Sequence, residues 1–149
     1  MSTYLALVAD WWTENGLEGE PPVTVIGQTG MKKRACYWIQ RADMAVQSKW
    51  QNWDFLFASF TATTLATVGR IPAPTDLGMW DRASFYLDGE KLSFVAYEKW
   101  REQYGRSTTT GQPWGFTIDK AHNLTLIPTP DDAYALTADY SKAAQKMTK

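Results

Sequence analysis

The stretch from Met31 to Gln51 constrains this chain more than any other, because its apolar residues recur at the spacing of an α-helix. At about 100° per residue they fall within one continuous stripe, which consists of Met31, Ala35, Trp38, Ile39, Ala42, Ala45, Val46 and Trp50. Thr29 precedes the run and can cap its first exposed N–H groups. Such a helix is marginal alone, so its stability must come from packing the stripe. The sequence therefore predicts a long helix over residues 29–51 with this stripe in the core.

The face opposite the stripe carries Tyr37 and Met44, which are seven residues apart and so lie on the same side of the helix. Lys33 and Gln40 share that side and are polar. Single apolar residues on a protein surface are ordinary. Tyr and Met are also types that are enriched at subunit interfaces. Both interpretations, plain surface and contact with another subunit, stay open at this point.

Composition excludes several classes of protein. A chain of 149 residues is long enough for one domain with a real core, and a formal charge of −1 argues against a general nucleic-acid or membrane-surface binder. Neither a membrane-spanning run nor a signal-peptide pattern is found. The lone Cys36 excludes an internal disulfide and fits a reducing compartment. Eight tryptophans indicate either a compact aromatic core or an aromatic recognition surface.

The N-terminal segment predicts a shorter helix over Thr3–Glu14, capped by Thr3 and ended by Gly16. Trp11 and Trp12 fall on its apolar side, which favours helix packing over a carbohydrate platform. Residues 17–28 form a connection, because their prolines and glycines exclude a regular helix. The β-rich tetrapeptide Val23-Thr24-Val25-Ile26 within it can be extended.

Beyond the long helix the hydrophobic period changes to that of β-strands, with a first strand from about Phe55. A hairpin is predicted over residues 83–96, with Asp88–Lys91 as the turn. This register places Leu87 opposite Leu92 and Phe85 opposite Phe94, so that one face is apolar. A brief helix follows over residues 97–104.

A second hairpin is predicted with Phe116 opposite Leu126 and Ile118 opposite Leu124. The alternating residues from Tyr134 to Tyr140 are expected to add a third strand to the same sheet. The fold class is therefore α+β, a helical scaffold that carries a β-rich insertion of antiparallel hairpins. We expect a single domain over residues 1–149, with its helical part at about 3–51 and the C-terminal end and its β-rich part at about 55–140.

A search for chemistry returns no catalytic, cofactor-binding or metal-binding constellation. Phosphate-loop and G-x-S-x-G motifs are missing from the sequence. Cys36 has only His122 as a potential base, and the two lie in a helix and a predicted hairpin loop. Asp131 and Asp132 follow Pro130, where turn chemistry explains them better than a cation site. We therefore expect no enzyme activity, no cofactor and no metal.

Taken along its length, the sequence resembles the head-to-tail adaptor (neck) proteins of bacteriophages and is similar to the tail tubular protein A class of short-tailed phages. The order of several segments carries this resemblance, namely Tyr4-Leu5-Ala6-Leu7, Trp38-Ile39 with Ala42, Trp53-Asp54-Phe55-Leu56, Asp76-Leu77-Gly78 with Trp80-Asp81, Gly111-Gln112-Pro113, Leu126-Ile127-Pro128-Thr129-Pro130-Asp131, Tyr134-Ala135-Leu136-Thr137 and Tyr140. Members of this family often continue past the last strand into further helices and a tail that engages the portal. We expect a smaller helical part here or portal docking through other surface.

The resemblance implies a virion protein of the phage neck, assembled in the host cytoplasm, that forms a ring, expected to be twelve-fold, between the portal protein and the tail nozzle protein. DNA would pass through the bore without specific binding, which the near-neutral charge suits because a basic bore would hold phosphates. No membrane contact is implied. In a ring, the outer face of the long helix becomes a candidate subunit interface, with Lys33, Tyr37, Gln40 and Met44 as its residues.

The alternative function is a glycan-binding or host-recognition module that uses surface tryptophans. It requires several tryptophans exposed in a row on a sheet or in a groove. Most tryptophans here fall on helical stripes or beside turns, which favours the adaptor.

Overall fold

The computed structural model describes residues 3–49 and 53–147. The chain forms two compact units, one from residues 1–51 with 144–149 and the other from residues 52–143. We call these the helical unit and the β unit. With helices and mixed β-sheets in one chain, the α+β class is confirmed. The prediction of a single domain stays a prediction.

The first helix of the helical unit, α1, spans Tyr4–Glu14 as the sequence predicts. Thr3 caps it, because its Oγ1 accepts a hydrogen bond of 3.2 Å from the N–H group of Ala6. Gly16 follows the last turn with a φ of 59°, a left-handed conformation that glycine adopts at little cost. Tyr4, Val8 and Trp12 are the buried residues of α1, so Trp12 packs in the core.

The long helix, α2, spans Gly30–Lys49, and Trp50 and Gln51 lie outside the described residues. The prediction that the apolar stripe forms the core is wrong for most of its residues. Ala35 is buried and Ile39 half-buried, but Met31, Trp38 and Val46 are exposed to 43%, 47% and 52%. Ala42 and Ala45 are exposed as well.

The buried face of α2 is rotated from the predicted one because two neighbours cover a different side. Residues of α1 pack with Ala35 and Cys36 in one apolar cluster. From residues 144–147, Gln145 bonds to Gln47, whose Oε1 accepts from the Gln145 N–H at 2.9 Å, and the Met147 carbonyl oxygen accepts from Gln40. Gln47 is therefore buried although it is polar. No helix forms over residues 143–147, and Val23–Ile26 is bent and belongs to no strand.

The β unit contains nine strands and one helix among the described residues. They are β1 (Phe57–Thr63), β2 (Arg70–Ile71), β3 (Leu77–Trp80), β4 (Tyr86–Leu87), β5 (Glu90–Lys91), β6 (Ser93–Phe94), α3 (Tyr97–Gln103), β7 (Gly115–Ile118), β8 (Leu124–Ile127) and β9 (Ala135–Lys142). One sheet has the order β1-β9-β4-β5, with β3 also paired to β9, and the other has the order β2-β8-β7-β6. A 3₁₀ turn over Asp54–Leu56 precedes β1, so the first strand starts two residues after the predicted Phe55.

The first hairpin exists, but its predicted register is wrong. Leu87 pairs with Glu90 rather than Leu92, because the turn contains only two residues. These are Asp88 and Gly89, whose φ angles of 47° and 84° suit the tight turn that matches strand twist. Phe94 is not opposite Phe85; it lies on β6, parallel to β7, and is 38% exposed. Phe85, Leu87 and Leu92 are buried as predicted.

The second hairpin is confirmed in register, with Phe116 opposite Leu126 and Ile118 opposite Leu124. The following strand, β9, alternates as predicted, since Leu136, Ala138 and Tyr140 are buried. Its sheet was predicted wrongly. β9 joins β1, β3 and β4 in the first sheet instead of extending the second hairpin. Alternation identifies a strand and its inner face but carries no information about its partners.

Aromatic rings join the two sheets of the β unit. The ring of Trp80 contacts those of Phe60, Phe85 and Tyr140 at centroid distances between 5.3 and 5.7 Å. Phe85 stacks on Phe116 of the second sheet at 4.0 Å.

At the edge of the unit, Phe57 at the start of β1 pairs with Ser141 near the end of β9. The β unit is thus an insertion whose entry and exit lie on neighbouring strands.

Candidate functional site

The four predicted interface residues of α2 do not share one environment. Lys33 and Tyr37 are exposed, and 55% of the surface of Tyr37 is accessible. Gln40 is half-buried, because its Nε2 donates a hydrogen bond of 2.9 Å to the carbonyl oxygen of Met147. Met44 is half-buried too. Residues 144–147, which we call the C-terminal segment, thus occupy part of this face. The assignment of the four residues to a subunit interface stays a prediction.

A second surface of α2 is apolar and exposed, and sequence reasoning had assigned it to the core. We call it the α2 stripe and define it as Met31, Trp38, Ala42 and Ala45. Trp38 is held in place by Trp11 of α1, whose ring meets it edge-on at 5.6 Å. Contiguous apolar residues on a surface are typical of a contact with another protein. No local signal in the sequence locates this surface, because the buried side of α2 depends on Gln47 bonding to Gln145, 98 positions away.

The β unit contains a half-open cleft of about 330 Å³ between α3, the loop after it and the second sheet. Trp100, Tyr104 and Trp114 supply aromatic surface, and the rings of Tyr104 and Trp114 meet edge-on at 6.0 Å. Ser107, Thr109, Gln112, Thr125 and Thr129 supply hydroxyl and amide groups. Sequence reasoning missed this cleft, because the polar segment at residues 106–112 carries no pattern that places it against Trp114.

The tryptophans are mostly packed rather than presented. Trp12 and Trp80 are buried, and their indole N–H groups donate to the carbonyl oxygens of Gly19 and His122. Trp38 and Trp114 are each about half exposed, and they belong to different units. In the described part of the chain, the tryptophans therefore do not form the exposed row that a glycan platform requires.

The titratable groups are arranged to support loops. Desolvation alone would raise the pKa of Asp119, but hydrogen bonds from Asn123 and Ala121, together with the Arg70 guanidinium, outweigh it and lower that pKa. The hydrogen bond from the Tyr134 hydroxyl to Asp131 raises the pKa of Tyr134 to about 12. Asp132 accepts from the N–H of Ala133. Asp131 and Asp132 therefore stabilise a turn, as predicted.

Cys36 does not have the environment of a nucleophile. Burial raises the pKa of its thiol, whereas a reactive cysteine needs a lowered one. His122 lies in the turn between β7 and β8 with a φ of 63°. Within residues 3–49 and 53–147, no group of three or more His, Cys, Asp or Glu side chains could hold a metal ion. None of the helices in these residues combines the length and the hydropathy of a membrane-spanning segment.

Comparison with known families identifies the kind of protein. The family described as SU10 adaptor protein matches residues 3–149, which is nearly the whole chain. The chain belongs to this adaptor family. The adaptor is therefore a structural component of a phage virion, and the resemblance to head-to-tail adaptors is confirmed. No curated protein matches the adaptor's sequence.

The family assignment makes the exposed surfaces of the adaptor relevant to its function, because an adaptor acts by associating with other virion components. On the described residues, the α2 stripe is an exposed apolar surface and the aromatic cleft is a half-open one. Neither surface brings together groups with the geometry of an acid, a base and a nucleophile.

Proposed function

We propose that the protein is a head-to-tail adaptor whose copies form a ring, expected to be twelve-fold, between the portal protein and the tail nozzle protein. The match of the adaptor family over residues 3–149 carries this proposal. The ring belongs to the phage neck and is assembled in the host cytoplasm. The protein works through assembly and has no turnover.

The exposed part of α2 supports the proposed self-association. Around the axis of α2, Tyr37 and Lys33 lie on one side of the exposed surface of the helix, and the α2 stripe lies on the other side. A ring needs two different surfaces on each protomer, because the contact is head-to-tail. We propose that α2 contributes to one of them, with Lys33, Tyr37, Gln40 and Met44 at its margin.

DNA passes through the proposed ring without specific binding. A formal charge of −1 over 149 residues gives no basic excess that would hold the phosphate backbone. The protein should therefore show no retention on duplex DNA at physiological salt, in a filter-binding or mobility-shift measurement.

The test of the adaptor function is reconstitution with the portal. The purified protein is mixed with the portal protein of the same phage, and the product is examined by mass photometry and electron microscopy. We expect a large symmetric complex in which a ring of this protein covers one end of the portal. Failure to bind the portal, together with hydrolysis of a substrate in a broad screen, would contradict the proposal.

A pair of charge variants tests the role of α2 in the ring. Tyr37→Glu and Ala45→Glu should leave the melting temperature of the isolated protein nearly unchanged, because both residues are exposed, and should reduce ring formation on the portal. Gln103→Glu is the matched control, an exposed helical position on α3 that should assemble normally. Normal rings from both α2 variants would place the interface elsewhere.

The alternative function, a glycan-binding or host-recognition module, retains one structural argument. The cleft beside Trp114 combines aromatic rings with hydroxyl and amide groups, which is a suitable lining for a sugar ring. A glycan array probed with the wild type and with Trp114→Ala separates the two functions. Binding that Trp114→Ala abolishes would favour recognition, and no binding is expected for an adaptor.

A further inference from the structure

Strand β1 forms an open edge of the first sheet. It is seven residues long and pairs only with β9 among the described residues. The N–H groups of Asp81 and Asp88 donate to the carbonyl oxygens of Asp139 and Ala135, so the odd-numbered residues of β9 direct their backbone groups away from β1. The even-numbered residues of β9 therefore bond to β1, and their partners are Ala58, Phe60 and Ala62. The backbone N–H and C=O groups that point out of the edge belong to Phe57, Ser59, Thr61 and Thr63.

This edge lacks the features that protect sheet edges. Proteins usually guard an exposed edge with a charge, a proline, a bulge or a very short strand. The sequence of β1, FASFTAT, contains neither charge nor proline, and its register with β9 is unbroken. Phe57 is 55% exposed. By contrast, β2, β5 and β6 are two residues long, and the pairing of β3 contains a register shift. The outward backbone groups of β1 are therefore available to pair with another strand.

The helical unit carries a strand-forming segment that has no strand partner. Val23-Thr24-Val25-Ile26 consists of residues with high β propensity and lies between Pro22 and Gly27. Val23 is 82% exposed and Ile26 is 67% exposed, which is unusual for two such apolar side chains so close together. The segment is bent, and the Ile26 N–H donates to the Oγ1 of Thr24 at 3.2 Å. Straightening it breaks this local hydrogen bond, while Val25 is half-buried against the apolar cluster of α1 and α2 and can keep that contact.

We propose that Val23–Ile26 of one copy pairs as an added strand with the outer edge of β1 in the neighbouring copy. The inference rests on the proposed ring and names the contact that links its subunits. A four-residue donor fits on a seven-residue edge, and the pairing satisfies backbone groups that each protomer leaves open. Because donor and acceptor are different surfaces, each copy gives a strand to one neighbour and receives one from the other. Such head-to-tail contacts give a ring when the rotation between neighbouring copies closes, and the portal supplies a template for that closure.

A cysteine pair tests this contact. In a Cys36→Ala background, which removes the only native cysteine, Thr24→Cys and Thr61→Cys are combined in one chain. Both positions are exposed. Rings assembled on the portal are oxidised or treated with a short bismaleimide and run on a non-reducing denaturing gel. We expect a ladder of covalent oligomers. Thr24→Cys combined with Glu90→Cys, on β5 rather than on the β1 edge, is the matched control and should give no ladder.

A proline pair tests the same contact in the wild-type background. Thr61→Pro removes an N–H that points out of the edge, so the fold should persist while the fraction of protomers in rings falls at least tenfold. Ala62→Pro removes an N–H that bonds to β9 and should instead disrupt the β unit itself. Normal rings from a folded Thr61→Pro variant would overturn the strand pairing.

The outcomes separate this contact from the adaptor function. Rings that form on the portal without the ladder overturn the strand pairing and leave the adaptor function intact. A ladder in concentrated protein that never binds the portal supports the pairing and removes the function. A cross-link within one chain, or from Thr61→Cys to the portal, overturns the pairing with a second copy. The absence of both rings and cross-links removes both proposals.

Discussion

At the scale of single residues, two buried threonines on the β unit should respond oppositely to the same substitution. Thr117 is fully buried and its hydroxyl has no hydrogen-bond partner. Thr64 is also buried, but its Oγ1 donates to Asp132 O at 2.9 Å and accepts from the Tyr134 N–H at 2.8 Å. Burying an unpaired hydroxyl is costly, whereas a satisfied one stabilises the fold.

We expect Thr117→Val to raise the free energy of unfolding by about 1 kcal/mol and Thr64→Val to lower it by about 1–3 kcal/mol. Both are measured by urea denaturation. A loss of stability in Thr117→Val comparable to that in Thr64→Val would show that the Thr117 hydroxyl has a partner in solution.

The two phenylalanines of the first hairpin region form a second contrast. Phe85 is fully buried and stacks on Phe116, so Phe85→Ala should lower the free energy of unfolding by about 3–5 kcal/mol. Phe94 is 38% exposed and its ring receives the guanidinium of Arg82 at 4.5 Å. Its ring also meets that of Phe116 edge-on at 5.5 Å. Phe94→Ala should therefore cost less than Phe85→Ala, about 1–2 kcal/mol. Equal large losses in a chemical melt would mean that Phe94 is buried after all.

At the scale of elements, the side chain of Gln47 attaches the C-terminal segment to α2. Its Oε1 accepts from the Gln145 N–H, and its Nε2 donates to Gln145 O at 3.2 Å and to Asp43 Oδ2 at 2.6 Å. Gln47→Leu keeps the size of the side chain but leaves the backbone groups of Gln145 unpaired. We expect faster amide hydrogen exchange at residues 144–147. We also expect the free energy of unfolding to fall by about 1–3 kcal/mol. Ser48→Ala, one residue further along α2, is the control and should leave that exchange unchanged.

The same element explains which predictions succeeded. The helices, the second hairpin and the inward residues of β9 could be predicted, because periodicity and capping are local properties of the sequence. The buried face of α2 could not, because it depends on residues 144–147, which arrive about a hundred positions later. A polar residue such as Gln47 becomes a core residue only when its partner is known.

The candidate surfaces could be predicted only in part. Tyr37 and Lys33 were expected at the surface and are exposed. The α2 stripe was assigned to the core, because a helix pattern shows that a face is apolar but not what covers it. The register of the first hairpin depended on turn length, and Asp88-Gly89 was the signal for a two-residue turn.

At the scale of the whole molecule, the β unit holds a core of its own, which includes Phe85, Phe116 and Leu136. A fragment of residues 53–143 should therefore fold alone, with dispersed NMR amide signals and a cooperative melt. Calorimetry of the full chain tests the prediction of a single domain. A single unfolding transition would support it, because the two units would then unfold together. Two separate transitions would show two domains.

The neighbouring ends of the β unit also bear on how such proteins can change over generations. Because Phe57 and Ser141 are paired partners, their Cα atoms are about 5 Å apart. A segment with adjoining ends can be deleted, lengthened or traded for an unrelated one by a single recombination event, while the sequence on either side keeps its reading frame and its spacing. Lineages can thus exchange the surface that the β unit presents without redesigning α1 and α2, which precede it, or residues 144–147, which follow it.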